Sequence, residues 1–161
     1  MSGAGAPEIT AIDGTGIRVT IVAGQWHQVI AEGLLAGAER YLALTGAEVS
    51  VIRVSGSFEL PVVSRAALEG GADAVVALGV IIRGGTPHFE YVSDAATSGL
   101  NQVSILTGKP IGFGVLTVDT EEQALDRAGL AHSREDKGAE AAEAALSTAV
   151  LLRSLAENNA G

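Results

Sequence analysis

The chain has 161 residues, 47% apolar and 18% charged, with 10 Lys and Arg against 19 Asp and Glu and no cysteine. Length and balance fit one globular domain able to close a hydrophobic core, while a net charge of −9 without any basic cluster argues against a nucleic-acid or anionic-membrane surface. Disulfide, thiolate and zinc–cysteine chemistry fall with the missing cysteines. Because no apolar run reaches about 18 residues and the start lacks a signal-peptide pattern, the expectation is a soluble cytoplasmic protein.

Residues 1–16, rich in Gly, Ala, Thr and Asp, read as an irregular arm ahead of one domain over 17–161. Four apolar runs then alternate with helix-like segments. The runs are "IRVTIVAG" (17–24), "EVSVIRVSG" (48–56), "ADAVVALGVIIRG" (72–84) and "PIGFGVLTV" (110–118). Near-continuous Val, Ile and Leu, rather than strict alternation, is the pattern of strands covered on both faces. Helices are predicted over 27–45, 59–70, 87–107, 120–128 and 134–157. Thr120 with Gln123 fits a capping box, Gly129 a helix C-cap, and Ser133 followed by Asp136 another helix start. The expectation is a single-domain α/β fold: a three-layer αβα sandwich on a four-stranded parallel sheet with right-handed crossovers.

In such a sheet ligands bind beyond the carboxyl ends of the strands. At the third strand end, Thr86 is a favoured N-cap and Pro87 a favoured first helical residue. Gly84 and Gly85 let a ligand approach the exposed backbone N–H groups. A glycine loop running into a helix N-terminus attracts an anion, and His88 stands in the first helical turn beside it. An ordinary strand-to-helix turn with a surface histidine fits the same spacing equally well. Neither a Gly-Lys-Ser/Thr sequence nor a G-x-G-x-x-G fingerprint follows a strand, so the anion expected is one phosphate on a small molecule. Trp26 ends the first strand, where it can stack on a flat heterocycle or anchor the core. Glu59, after "SGSF", can accept hydrogen bonds from ligand hydroxyls or stabilise a helix dipole. Arg127 and Lys137 flank the link between the last two helices, as phosphate ligands or as solvated helix-end cations. The three histidines are scattered without an H-E-x-x-H, and G-x-S-x-G is absent, which disfavours a metal site and a hydrolase elbow.

Together, "GSFELP", "GVIIRGGTPHFEYV", "GFGVLTVDTEEQALDRAG" and "DKG" resemble the lumazine synthase family, in family order, from about Ile17 to the last helix. The resemblance implies a flavodoxin-like fold. It also implies condensation of 5-amino-6-(D-ribitylamino)uracil with 3,4-dihydroxy-2-butanone 4-phosphate to 6,7-dimethyl-8-ribityllumazine, in riboflavin biosynthesis, with no cofactor or metal. It places Trp26 as the ring that stacks on the pyrimidine, where Phe is frequent. Ser57, Phe58 and Glu59 hold the ribityl chain, and Val80, Ile81 and Ile82 read the pyrimidine edge from the strand backbone. Gly85 and Thr86 cradle the phosphate and His88 shuttles protons. Phe113 and Arg127 serve a neighbouring subunit's site, and Lys137 resembles a further cation near the phosphate. The implied partner is a second copy of the chain, in a homopentamer with shared sites.

Two other readings compete. A non-catalytic flavin-binding or shell-forming protein of the same fold would use the same aromatic and ribityl contacts, although a phosphate cradle has no use for unphosphorylated riboflavin. A flavodoxin-like FMN carrier would need a Ser/Thr-rich loop after the first strand, where this chain has "AGQWHQ". The link "RAGLAHSREDKG" is about two residues longer and bulkier than the short, glycine-rich turn of members that assemble into shells, which points to a free pentamer.

Overall fold

A computed structural model describes residues 4–160. The elements follow in the order β1 (Arg18–Gly24), α1 (Gln28–Leu42), β2 (Glu48–Val54), a short 3₁₀ turn (Ser57–Glu59), α2 (Leu60–Glu69), β3 (Ala74–Ile82), α3 (His88–Thr107), β4 (Ile111–Val118), α4 (Glu121–Leu125) and α5 (Lys137–Ala160). Residues 6–14 carry no helix or strand. The strands pair in the order β2–β1–β3–β4 and every pairing is parallel. This is the flavodoxin-like α/β arrangement, in which the winding direction reverses between β1 and β3.

Alternate strand residues feed two cores. On one face Val19, Ile21, Val76 and Leu78 pack with Leu34 and Ala38 of α1 and Ala142 and Leu146 of α5. On the other, Val22, Val75, Ala77 and Val115 pack with Leu60 and Leu68 of α2 and Ala96 and Leu100 of α3. With few aromatics, these layers close by near approach of backbones. A Cβ at Gly138 of α5 would collide with the Leu34 carbonyl of α1, and one at Gly112 of β4 with the Ala141 carbonyl of α5. The outer strand β2 differs, being exposed from Glu48 to Arg53. Val49, Val51 and Ile52 stay open to solvent there.

The strand expectations hold to within two residues at each end, but the helix starts shift. α3 begins at His88, with Pro87 in the preceding position, and the Thr86 hydroxyl accepts the His88 N–H at 3.4 Å. α4 stops at Leu125, so Gly129 is not its cap. With φ at 68°, Gly129 instead turns a loop whose limbs meet at an antiparallel Ala128–Asp136 bridge. α5 starts at Lys137 rather than 134 because Asp136, not Ser133, is its cap: Oδ1 of Asp136 accepts the Ala139 N–H at 3.0 Å. The Ser133 hydroxyl closes the loop, accepting the Leu130 N–H at 2.9 Å and donating to the Leu125 carbonyl. Thr120 does cap α4, accepting the Gln123 N–H at 3.2 Å. The Gln123 side chain returns to the Asp119 N–H at 2.8 Å, one residue before the cap.

Candidate active site

Three strand ends converge at the reversal point. After β1, the Gln25 side chain donates to the Val54 carbonyl at 3.0 Å and its N–H to the Ser55 carbonyl at 3.4 Å, tying this turn to the end of β2. His27 then takes a left-handed conformation, φ 58° and ψ 69°, uncommon for a residue with a side chain. The turn presents Trp26 with 67% of its surface exposed, so Trp26 is no core anchor. Its indole lies against Gly56, where a Cβ would come within 2.9 Å of Cδ1. The absent side chain of Gly56 thus makes room for the ring.

After β2, the 3₁₀ turn brings Ser57, Phe58 and Glu59 to the same place. Oε2 of Glu59 accepts the Gly56 N–H at 3.0 Å, fixing the start of the turn. Ser57 is buried and Phe58 exposed, and the Ser57 hydroxyl occupies the space that a Cβ at Gly79 would need. Third comes the end of β3. β1 pairs with β3 only as far as Ala23 against Leu78, whereas Val80, Ile81 and Ile82 continue to pair with Leu116, Thr117 and Val118 of β4. On the β1 side the backbone of these three residues therefore runs beyond the paired register.

Between these ends lies a cavity of about 650 Å³, within the range of small-molecule sites. It is lined by Trp26, Ser57, Phe58, Glu59, Val80, Ile81, Ile82, Thr86 and His88, all predicted from the sequence. It is also lined by Gly84, read from the sequence as part of the anion loop, and by His27, Gly56, Phe89, Tyr91 and Val92, which sequence reasoning did not single out. The spacing of Tyr91 and Val92, three and four residues beyond His88, places them on one helix face with it and could have found them. Gly85 belongs to the same loop without lining the cavity. A Cβ at Gly84 or Gly85 would meet nothing within 4 Å, and neither has a left-handed φ. The fold alone does not demand glycine at either position.

Phe113, Arg127 and Lys137 lie outside this cavity. Phe113 sits on β4, the other outer strand, with 47% exposed. Arg127 follows α4, its Nη1 donating to the Gln123 carbonyl at 2.9 Å and its Nε 3.5 Å from Oε2 of Glu135. Lys137 is held between Glu135 at 3.1 Å and Glu140 at 2.7 Å. Burial works to depress the Lys137 pKa, but hydrogen bonds to Glu140 and Glu135 outweigh it and hold the ammonium above its usual range. Among the described residues no group of three His, Asp or Glu side chains could hold a metal ion.

A doubly wound parallel sheet with an apolar, aromatic-lined cleft at its reversal point defines a small-molecule-binding α/β protein. The model of the 6,7-dimethyl-8-ribityllumazine synthase family matches residues 16–153. Proteins of that name are similar over nearly full length: 73% identity in Clavibacter sepedonicus, covering 96% of this chain and 98% of the relative. Identity is 72% in Leifsonia xyli subsp. xyli over 96% and 99%, and 57% in Streptomyces coelicolor over 98% and 98%. The chain belongs to the 6,7-dimethyl-8-ribityllumazine synthase family.

Proposed function

We propose that this chain condenses 5-amino-6-(D-ribitylamino)uracil with 3,4-dihydroxy-2-butanone 4-phosphate, forming 6,7-dimethyl-8-ribityllumazine and releasing phosphate and water. The observation that carries the reading is the cavity itself, in a member of this family: three separate chain segments bring Trp26, the end of β3 from Val80 to Ile82 and His88 to one place. Trp26 stacks on the pyrimidine, whose polar edge meets the backbone of Val80, Ile81 and Ile82 beyond the end of β1. Ser57, Phe58 and Glu59 line the path of the ribityl chain. Gly85 and Thr86, at the positive end of the 20-residue helix α3, receive the phosphate. The open space at both glycines is room for that group.

The pyrimidine amine attacks the ketone to give an imine with loss of one water, phosphate is eliminated, and ring closure with loss of a second water completes the product. Both reactants carry their own reacting groups, so alignment supplies much of the acceleration by making the encounter effectively unimolecular. His88 moves protons between the amine, the imine and the leaving phosphate.

Phe113 and Arg127, remote from their own chain's cavity, complete the site of a neighbour: Phe113 against the ring, Arg127 on the phosphate, with Lys137 near it. The assembly is a homopentamer with shared sites in a cytoplasmic setting. The apolar surface left on β2 and at Phe113 supports it, because such surface is costly on a monomer. Mixing both substrates and following lumazine absorbance together with phosphate release tests the activity. Binding of the ribitylaminouracil with no phosphate released would make the protein a carrier instead.

A further inference from the structure

We infer that Arg83 is a positioning residue that holds the turn carrying His88 in its working orientation. The inference rests on the reading of the cleft given above. Arg83 leaves β3 with its N–H still donating to the Val118 carbonyl at 2.9 Å. The chain then runs through Gly84, Gly85, Thr86 and Pro87 into α3. This loop has little to fix it: the glycines carry no side chains, and the Thr86 hydroxyl meets the His88 N–H at a long 3.4 Å.

The Arg83 side chain spans the loop. Nη1 donates to Oε1 of Glu90 at 2.6 Å, Nε donates to Oδ1 of Asp119 at 2.8 Å, and the guanidinium lies 4.3 Å from the centre of the Phe89 ring. His88 and Phe89 therefore sit inside a bracket whose ends are Arg83 and Glu90. Its third support, Asp119, is itself anchored by its N–H to Gln123 at the start of α4. Phe89 lines the cavity and Arg83 does not, so Arg83 acts on the site through its neighbours. All three charged side chains are about half exposed (47%, 56% and 63%). Exposed pairs of this kind add little to global stability, and what the network can do is set local geometry. It uses two edges and the face of one guanidinium, a combination that lysine cannot reproduce.

The test compares wild type with Arg83→Ala, Arg83→Lys and Asp119→Asn. In Arg83→Ala, kcat is expected to fall about 10- to 100-fold, the cost of misplacing a reacting group by about an ångström. The KM for the ribitylaminouracil, the thermal midpoint and the oligomer mass should stay near wild type. Arg83→Lys should recover little, and Asp119→Asn should lose less than Arg83→Ala without adding to it in the double variant, as partners in one network do. Hydrogen exchange in Arg83→Ala should quicken across residues 84–92 and nowhere else. An unchanged kcat with unchanged exchange would overturn the inference. So would a lowered midpoint with faster exchange throughout, which would make Arg83 a general stabiliser. A wild type that forms no lumazine refutes the functional reading alone, and the exchange experiment still decides whether Arg83 holds the turn.

Discussion

At the scale of single residues, the cleft separates groups that act from groups that shape. His88 lines the cavity from the first turn of α3 and contributes nothing to either core. We predict that His88→Ala leaves the thermal midpoint unchanged and lowers kcat by about 10²-fold, the lower part of the range for acid–base groups. Unchanged turnover would remove His88 from the chemistry. Arg127→Ala should raise the KM for the butanone phosphate far more than that for the pyrimidine, because only the former carries the anion that a guanidinium clamps. Equal losses for both would make Arg127 a structural residue, holding Glu135 rather than substrate. Which residues line the cleft was legible where chemistry is local: the end of β3, Gly84, Thr86 and His88 lie within ten residues of each other. His27 was not, because its left-handed backbone follows from a turn tied to β2 about thirty positions away. Phe89 was passed over for a different reason. Its partner is a cation six positions earlier, across a loop, and no periodicity marks such a pair.

At the scale of elements, strands announced themselves through unbroken β-branched runs, whereas the start of α5 misled. Ser133 and Asp136 both have capping side chains, and sequence cannot say which of two such residues is free to cap. Three-dimensional contact decides: Ser133 is occupied with Leu125 and Leu130, and Asp136 lies against Gly37 and Gly129 with Arg40 at 3.1 Å. The α1–α5 contact is therefore sensitive to volume at one glycine. Gly138→Ala would drive a methyl into the Leu34 carbonyl, and we predict about 1–3 kcal/mol of lost stability, the usual cost of overpacking. A denaturation midpoint equal to wild type would show that α5 can shift freely.

The loop between α4 and α5 should also set the acid limit. The Arg134 side chain and N–H bond to Asp126, holding that carboxyl below its ordinary range. A depressed carboxyl adds stability above its unfolded pKa, near 4, and that contribution is lost as pH falls through the folded value. The thermal midpoint should accordingly begin to drop below about pH 4. Asp126→Asn should flatten part of that decline, and an identical slope in this variant would refute the assignment.

At the scale of the whole molecule, the two outer strands carry the case for assembly. β2 is bare on most of its length and Phe113 of β4 is half exposed, while the two inner strands are buried except at Arg18 and Ile82. Sedimentation should give a species of about five times 16.2 kDa, a closed ring of heterologous contacts. The α4–α5 link is an ordered loop bridged at Ala128 and Asp136 and tied by Arg134 to Asp126 at 2.7 Å, a bulky turn that should keep rings from stacking into a shell. A particle near a megadalton would contradict that, and a monomer would remove the shared site.

Arg127 stands away from the cavity that its own chain forms. If it completes the next subunit's site, two impaired variants can repair each other when assayed with butanone phosphate well below the KM of Arg127→Ala. Subunits carrying His88→Ala still offer a sound Arg127, and subunits carrying Arg127→Ala still offer a sound His88. Unfolded together in equal amounts and reassembled at random, each boundary has one chance in two of the right donor and one in two of the right acceptor. About a quarter of the sites should then be whole and about a quarter of wild-type turnover should return, whereas residues confined to one chain's own site would restore none.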